Sequence, residues 1–204
     1  CGDQEIFSID EMIRLFDIAA VNQSASAFNP EKLLWVNQQH IIAAPAQRLG
    51  KELIPYLQAV GLNPEHGADP AAVAEGFRER AETLLHMAAS CRYCYEDFAE
   101  IEPGARKKHL RPVILQPMRE TLAQLSALPD WSAGEIGRVI QAVADDQDIK
   151  MGRLGQPLRV AVTGGPVSPP IDVTLQLVGR ERTLRRLEHA IGIIEARAAG
   201  DAGG

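Results

Sequence analysis

The sequence predicts a mainly α-helical protein, a bundle or cage of two to three subdomains with a Pro/Gly-rich loop near its C-terminal third. Three observations carry this expectation. Aromatic residues make up 5% of the 204 positions while hydrophobic residues make up 46%, a balance that suits Ala- and Leu-rich helices better than sandwich strands. Helix-start signals recur along the chain, each followed by apolar residues at helical spacing. Glycine and proline gather in two stretches, residues 61–70 and 151–172.

Taken in order, Ser8-Ile9-Asp10-Glu11 has the spacing of a capping box, and Met12, Ile13, Leu15, Phe16 and Ile18 follow it. Asn29-Pro30 supplies an N-cap and a first-turn proline for a helix to about Ile42, and Asp69-Pro70 repeats the device. From there a long helix is expected through Phe77, Leu84, Leu85 and Met87 to about Phe98. The next should run from about Gly104 to Leu128, bent near Pro112 and Pro117. Ser132-Ala133-Gly134-Glu135 reads as a second capping box ahead of Ile136, Val139, Ile140 and Val143, and a last helix should span about 180–199. Residues 61–70 read as a linker. Residues 151–172 carry four glycines and four prolines, a density that argues against regular helix and for a packed loop containing Leu158, Val160 and Val162. The expected subdomains are 1–68, 69–130 and 131–204.

Composition narrows the function classes. No apolar run approaches the ~20 residues that span a bilayer, so no membrane role is expected. Three cysteines cannot close into pairs, and a cytoplasmic setting is the simplest one. A net charge of −6 argues against indiscriminate coating of nucleic acid, and no DNA partner is expected. The charge is unevenly placed, however. Residues 151–204 hold seven arginines against five acids, which fits either a solvated helix face or a polyanionic partner.

No catalytic centre is evident. Cys91-Arg92-Tyr93-Cys94 is a C-x-x-C, but no second pair or histidine motif completes a zinc site, so two small side chains packed in a helix are expected. Cys1 is set aside as a terminal feature. Thr163-Gly164-Gly165-Pro166 lacks the lysine of a phosphate loop. The five histidines are scattered, and no metal or catalytic residue is assigned. Recognition residues are the better candidates. Lys32 and Trp35 share a helix face, where Trp35 is either core or an aromatic plate beside a cation. Arg78 and Arg80 are expected in a helix among Glu79 and Glu82. Arg159 and Ser168-Pro169-Pro170-Ile171 form the two ends of a rigid rim around the Pro/Gly loop, suited to holding unstacked bases.

These residues carry a resemblance. Glu5-Ile6-Phe7-Ser8, Leu15-Phe16 and the run Phe28-Asn29-Pro30-Glu31-Lys32-Leu33-Leu34-Trp35-Val36-Asn37 resemble the segment downstream of the catalytic domain in bacterial glutamyl-tRNA synthetases. Gly155-Gln156-Pro157-Leu158-Arg159-Val160-Ala161-Val162-Thr163-Gly164, Ser168-Pro169-Pro170-Ile171 and Leu177-Val178-Gly179-Arg180-Glu181-Arg182 resemble their anticodon-binding region. The resemblance implies the end of a stem-contact helical domain (1–68) followed by two anticodon-binding helical subdomains. It implies a tRNA(Glu) partner and a monomer that binds tRNA without charging it, with no cofactor in this chain; ATP and magnesium would serve the full-length ligase.

By position, the resemblance places Lys32 and Trp35 against the corner of the tRNA. It gives Arg80 the role of a helical arginine reading the third anticodon base. Arg159, Ser168, Pro169 and Ile171 fall around the first two bases. Gln141 stands where some members carry an arginine. The alternative from another class is a helical protein-interaction or regulatory module that does not bind RNA.

Overall fold

Local capping opens many of the helices. The computed structural model describes residues 4–20 and 28–201, and among them there are eleven α-helices and no strand. Cys1 lies outside the described residues. Helix α1 (Ile9–Leu15) starts on the expected capping box: Ser8 Oγ accepts from the Glu11 amide and the Ser8 amide donates to Glu11 Oε2 at 2.8 Å. None of its residues is buried, so this helix stands on its cap rather than on packing. Helix α2 (Pro30–Ala43) follows the Asn29-Pro30 signal, with Asn29 Oδ1 accepting from the Lys32 amide.

Helices α3 (Ala46–Ala59) and α4 (Pro70–Phe77) cross so closely that a Cβ on Gly50 would lie 2.6 Å from the Ala71 backbone. The supposed linker between them is ordered. It holds a 3-10 turn at Pro64–His66, and Gly67 lies so close to Tyr95 that a Cβ there would meet the ring at 2.4 Å.

The long helix expected over 69–98 is broken. It ends at Phe77, and α5 (Leu84–Ser90) restarts after residues 78–83 because Thr83 caps it, its hydroxyl accepting from the His86 amide at 3.0 Å. A 3-10 turn at Arg92–Cys94 follows. The next expected helix is interrupted only once. Helix α6 (Pro103–His109) stops before Pro112, and α7 (Leu115–Ala127) begins after a 3-10 turn. Pro117 causes no bend, since it sits in the first turn of α7, where a missing N–H has no intrahelical partner to lose. Helix α8 (Ala133–Asp146) begins at Ser132, but without the expected capping box; the Ser132 hydroxyl donates to Asp130 instead.

The largest correction concerns 151–172. Helix α9 runs from Met151 to Thr163 with Pro157 inside it, and α10 (Ile171–Val178) begins soon after. The true loop is residues 164–170. A mid-helix proline costs about 3 kcal/mol, but Leu154, Leu158, Val160, Ala161 and Val162 are all at most 1% exposed, and burial of such side chains contributes about 1.5–3 kcal/mol each. Packing outweighs the local penalty. Gly164, at φ +78°, closes the helix in the left-handed conformation, and its carbonyl accepts the Glu102 amide at 2.8 Å.

Hydrophobic packing groups the chain into two cores. One draws on residues from Ile41 to Tyr95 and the other on residues from Ile101 to Ile194. Helix α10 bridges them, sending Ile171 and Leu175 into the second and Leu177 and Val178 into the first. Cys91 and Cys94 are fully buried in the first core, and burial pushes the Cys91 thiol up to about 12. They pack as small apolar side chains, as expected.

The last helix, α11 (Arg180–Asp201), ties the cores together. Arg186, 5% exposed, donates through Nη1 to the carbonyls of Tyr93 (2.9 Å) and Val162 (2.5 Å). Through Nη2 it reaches the Glu96 carbonyl and Asp97, and its guanidinium stacks 4.8 Å from the Phe98 ring centre. Arg182 donates to the carbonyls of Cys94 and Tyr95, and Arg185 pairs with Asp97 Oδ2 at 2.6 Å. The partial burial of Asp97 pushes its pKa up, but hydrogen bonds and charge from Arg186 and Arg185 outweigh this and hold it below the usual carboxylate range.

Arg186→Ala would strand the buried carbonyls of Tyr93 and Val162, and should lower the unfolding free energy by about 2–3 kcal/mol in urea titrations; a loss under about 0.5 kcal/mol would contradict the assigned role. A depressed folded-state pKa contributes stability above the unfolded value and loses it on acidification. The stability gap between wild type and Asp97→Asn should therefore be constant near neutrality and close below about pH 4. A gap that does not begin to shrink as the pH falls below about 4 in thermal melts would contradict the latch.

Candidate nucleic-acid interface

The junction of the two cores gathers the predicted recognition residues unevenly. Arg159 lies in α9, half-buried. Its Nε donates to Ser168 Oγ at 2.8 Å, Nη1 to Gln156 Oε1 at 2.6 Å and Nη2 to the Pro169 carbonyl at 3.3 Å. Ser168 in turn meets the Thr174 hydroxyl at 2.9 Å, and Thr174 donates to the Pro169 carbonyl. The loop thus grips the arginine and aims it. Ser168, Pro169 and Ile171 are themselves buried, so their side chains offer no open face to a base in this conformation. They position Arg159, while Val167, 70% exposed, is the apolar side chain the loop presents.

Arg80 is not helical. It sits in the turn after α4, its amide bonded to the Phe77 carbonyl at 2.9 Å. This turn is held by α2: Asn37 Nδ2 donates to the Glu82 carbonyl at 2.6 Å, and Gln38 Nε2 to that of Glu79 at 3.2 Å. Arg78, also outside the helix interior, donates through Nη1 to the Ile42 carbonyl at 2.9 Å and pairs with Glu75. Arg78 is therefore a structural clamp, and Arg80 projects exposed and makes no ion pair among the described residues.

Arg80 lies near enough to Arg159 for its charge to be felt there. Burial first, and then the nearby charge of Arg80, lower the pKa of Arg159. Phe77, just ahead of the turn that carries Arg80, packs its ring on that of Tyr93 with centroids 6.2 Å apart. The Tyr93 hydroxyl is buried beside Ser168 and Arg159 without a hydrogen-bond partner, and burial raises its pKa. Two cations in one neighbourhood, neither of them ion-paired among the described residues, are an anion- or acceptor-seeking arrangement.

Lys32 and Trp35 lie on α2. Lys32 Nζ pairs with Glu5 at 2.6 Å, both exposed. Trp35 is 41% exposed, so it is surface rather than core. Gln141 is exposed and donates to Asp145 on its own helix. Sequence reasoning assigned no role to Gln156 and Thr174, which touch Arg159, Ser168 and Pro169, or to Asn37 and Gln38, which hold the turn that carries Arg80; short-range spacing gave no sign of these tertiary contacts. Among the described residues no cluster of three or more His, Cys, Asp or Glu could hold a metal, and no helix is long and apolar enough to cross a membrane.

The solved structure of a glutamate tRNA ligase from Elizabethkingia meningosepticum superposes with a TM-score of 0.81 at 26% identity, over 93% of this chain and 37% of that one. A glutamate-tRNA synthetase from Elizabethkingia anophelis gives a TM-score of 0.77 at 25% identity over the same shares. The chain thus spans little more than a third of the length of these relatives. Residues 48–191 match the model of the anticodon binding domain family, and the chain belongs to that family.

Proposed function

We propose that this chain recognises the anticodon of tRNA(Glu) as part of a glutamate–tRNA ligase. The observation that carries the reading is Arg159, held by Ser168, Gln156 and Pro169 with the charge of Arg80 nearby and, among the described residues, no carboxylate paired to either. Membership of the anticodon binding domain family and likeness to two glutamate–tRNA ligases over 93% of the chain support it. In this reading residues 1–68 end a stem-contact domain and place Lys32 and Trp35 near the tRNA corner. Residues 69–130 and 131–204 form the anticodon cage. The whole enzyme joins glutamate to its tRNA in the cytoplasm using ATP and magnesium, and this part binds tRNA as a monomer without charging it. The match to the anticodon binding domain family disfavours a protein-interaction module without RNA binding.

The chemistry at the third anticodon base follows from the donor inventory. A guanidinium only donates, and cytosine offers O2 and N3 as acceptors on its pairing edge. Guanine presents N1–H and N2–H there, donor against donor. Each mismatched polar contact costs about 1–3 kcal/mol, or about ten- to a hundredfold in affinity. Arg159 serves the first two bases from a mount made by Ser168 and Pro169.

Wild-type protein should bind an anticodon hairpin with C at the third position in preference to one with G, and Arg80→Gln should erase about ten- to a hundredfold of that preference. Equal binding of both hairpins by wild type, or a preference untouched in Arg80→Gln, would sink the specificity reading.

A further inference from the structure

A second basic feature adjoins the arginine pair. Lys108 and His109 at the end of α6, Arg111 just after it, and Arg153 in the first turns of α9 line one open groove of about 410 Å³. No carboxylate lines this groove, and none of its three formal cations makes an ion pair among the described residues. On a chain with a net charge of −6, a groove free of acids is a local departure from the rest of the surface. His109 shows the same field: partial burial, then the charges of Lys108 and Arg111, lower its pKa.

The groove is continuous with the arginine site. Gln156 lines it and also accepts from Arg159 Nη1 at 2.6 Å, while its own amide donates to the Pro166 carbonyl at 2.8 Å. Arg153, Gln156 and Arg159 follow at spacings of three along α9, each about 60° round the helix from the last, so Gln156 adjoins both arginines and links the groove to Arg159. Val113, 76% exposed, adds an apolar patch at the groove's edge.

We infer that Lys108, Arg111 and Arg153 form a phosphate track that takes the RNA backbone flanking the bases held at Arg80 and Arg159. The inference rests on the proposed RNA recognition and extends it. Unpaired cations contribute affinity through counterion release and carry no base information. The spacing along α9 sets the register: backbone enters over Arg153, and the neighbouring base stacks reach Arg159. Val113 gives a sugar or base face an apolar seat. A protein partner would need a larger apolar centre than one exposed valine.

The test compares the full chain with the triple variant Lys108→Gln, Arg111→Gln, Arg153→Gln on the C- and G-bearing anticodon hairpins, across a range of salt. Lys51→Gln, exposed on α3, is the charge control, and circular dichroism checks the fold of each variant. The triple variant should bind both hairpins more weakly by the same factor, leave the C-over-G ratio intact, and flatten the plot of log Kd against log salt by about 2 to 3 in slope. The control should match wild type. Wild-type affinity and slope in the triple variant would overturn the track, as would a loss no larger than that of Lys51→Gln. Should wild type bind the two hairpins equally, the anticodon reading fails, while the slope comparison still decides the groove.

Discussion

One buried guanidinium, Arg186, satisfies carbonyls from both halves of the molecule. Tyr93 and Glu96 lie at the edge of the first core, and Val162 ends α9 in the second. A buried carbonyl without a donor is costly, and the segment 93–97 has left the helical ladder that would satisfy it. Helix α11 supplies the donors instead, with Arg182 and Arg185 flanking Arg186 and Asp97 balancing their charge. The two cores are therefore joined by polar contacts laid across the bridge that α10 makes in apolar ones.

That joint governs the recognition site. Tyr93 hangs from the clamped segment, packs on Phe77 at the end of α4, and faces Arg159 and Ser168. Phe77 leads directly into the turn that carries Arg80. A short mechanical chain thus runs from Arg186 through Tyr93 to both arginines. The turn is braced on its other side by Asn37, Gln38 and Arg78, so α2 with Lys32 and Trp35 is tied to the same point.

How much of this was legible in the sequence differs by kind of interaction. Signals that act within one turn were read well: Ser8 with Glu11, Asn29 with Pro30, and Asp69 with Pro70 each cap as their spacing implies. The Pro/Gly stretch was misjudged because Pro157 is penalised locally while the burial of Leu154, Leu158 and Val162 is non-local. Arg80 and Arg159 were singled out through resemblance to a family, and the helix expected around Arg80 is a turn. Their proximity was not legible, since it depends on cores separated by many residues. Ser168, Pro169 and Ile171 stood out as a rim, yet only tertiary packing turns them inward beneath Arg159. The arginines of α11 looked like a solvated face or a polyanion site, and most of them hold backbone carbonyls instead.

We propose that the Arg186 latch sets the geometry in which Arg80 would read a base. The most direct measurement is the C-over-G hairpin preference of Arg186→Gln, taken at a temperature where circular dichroism shows the variant folded. The account predicts that the preference falls although Arg80 is intact. A preference equal to that of wild type would show that the latch stabilises the fold without positioning the site.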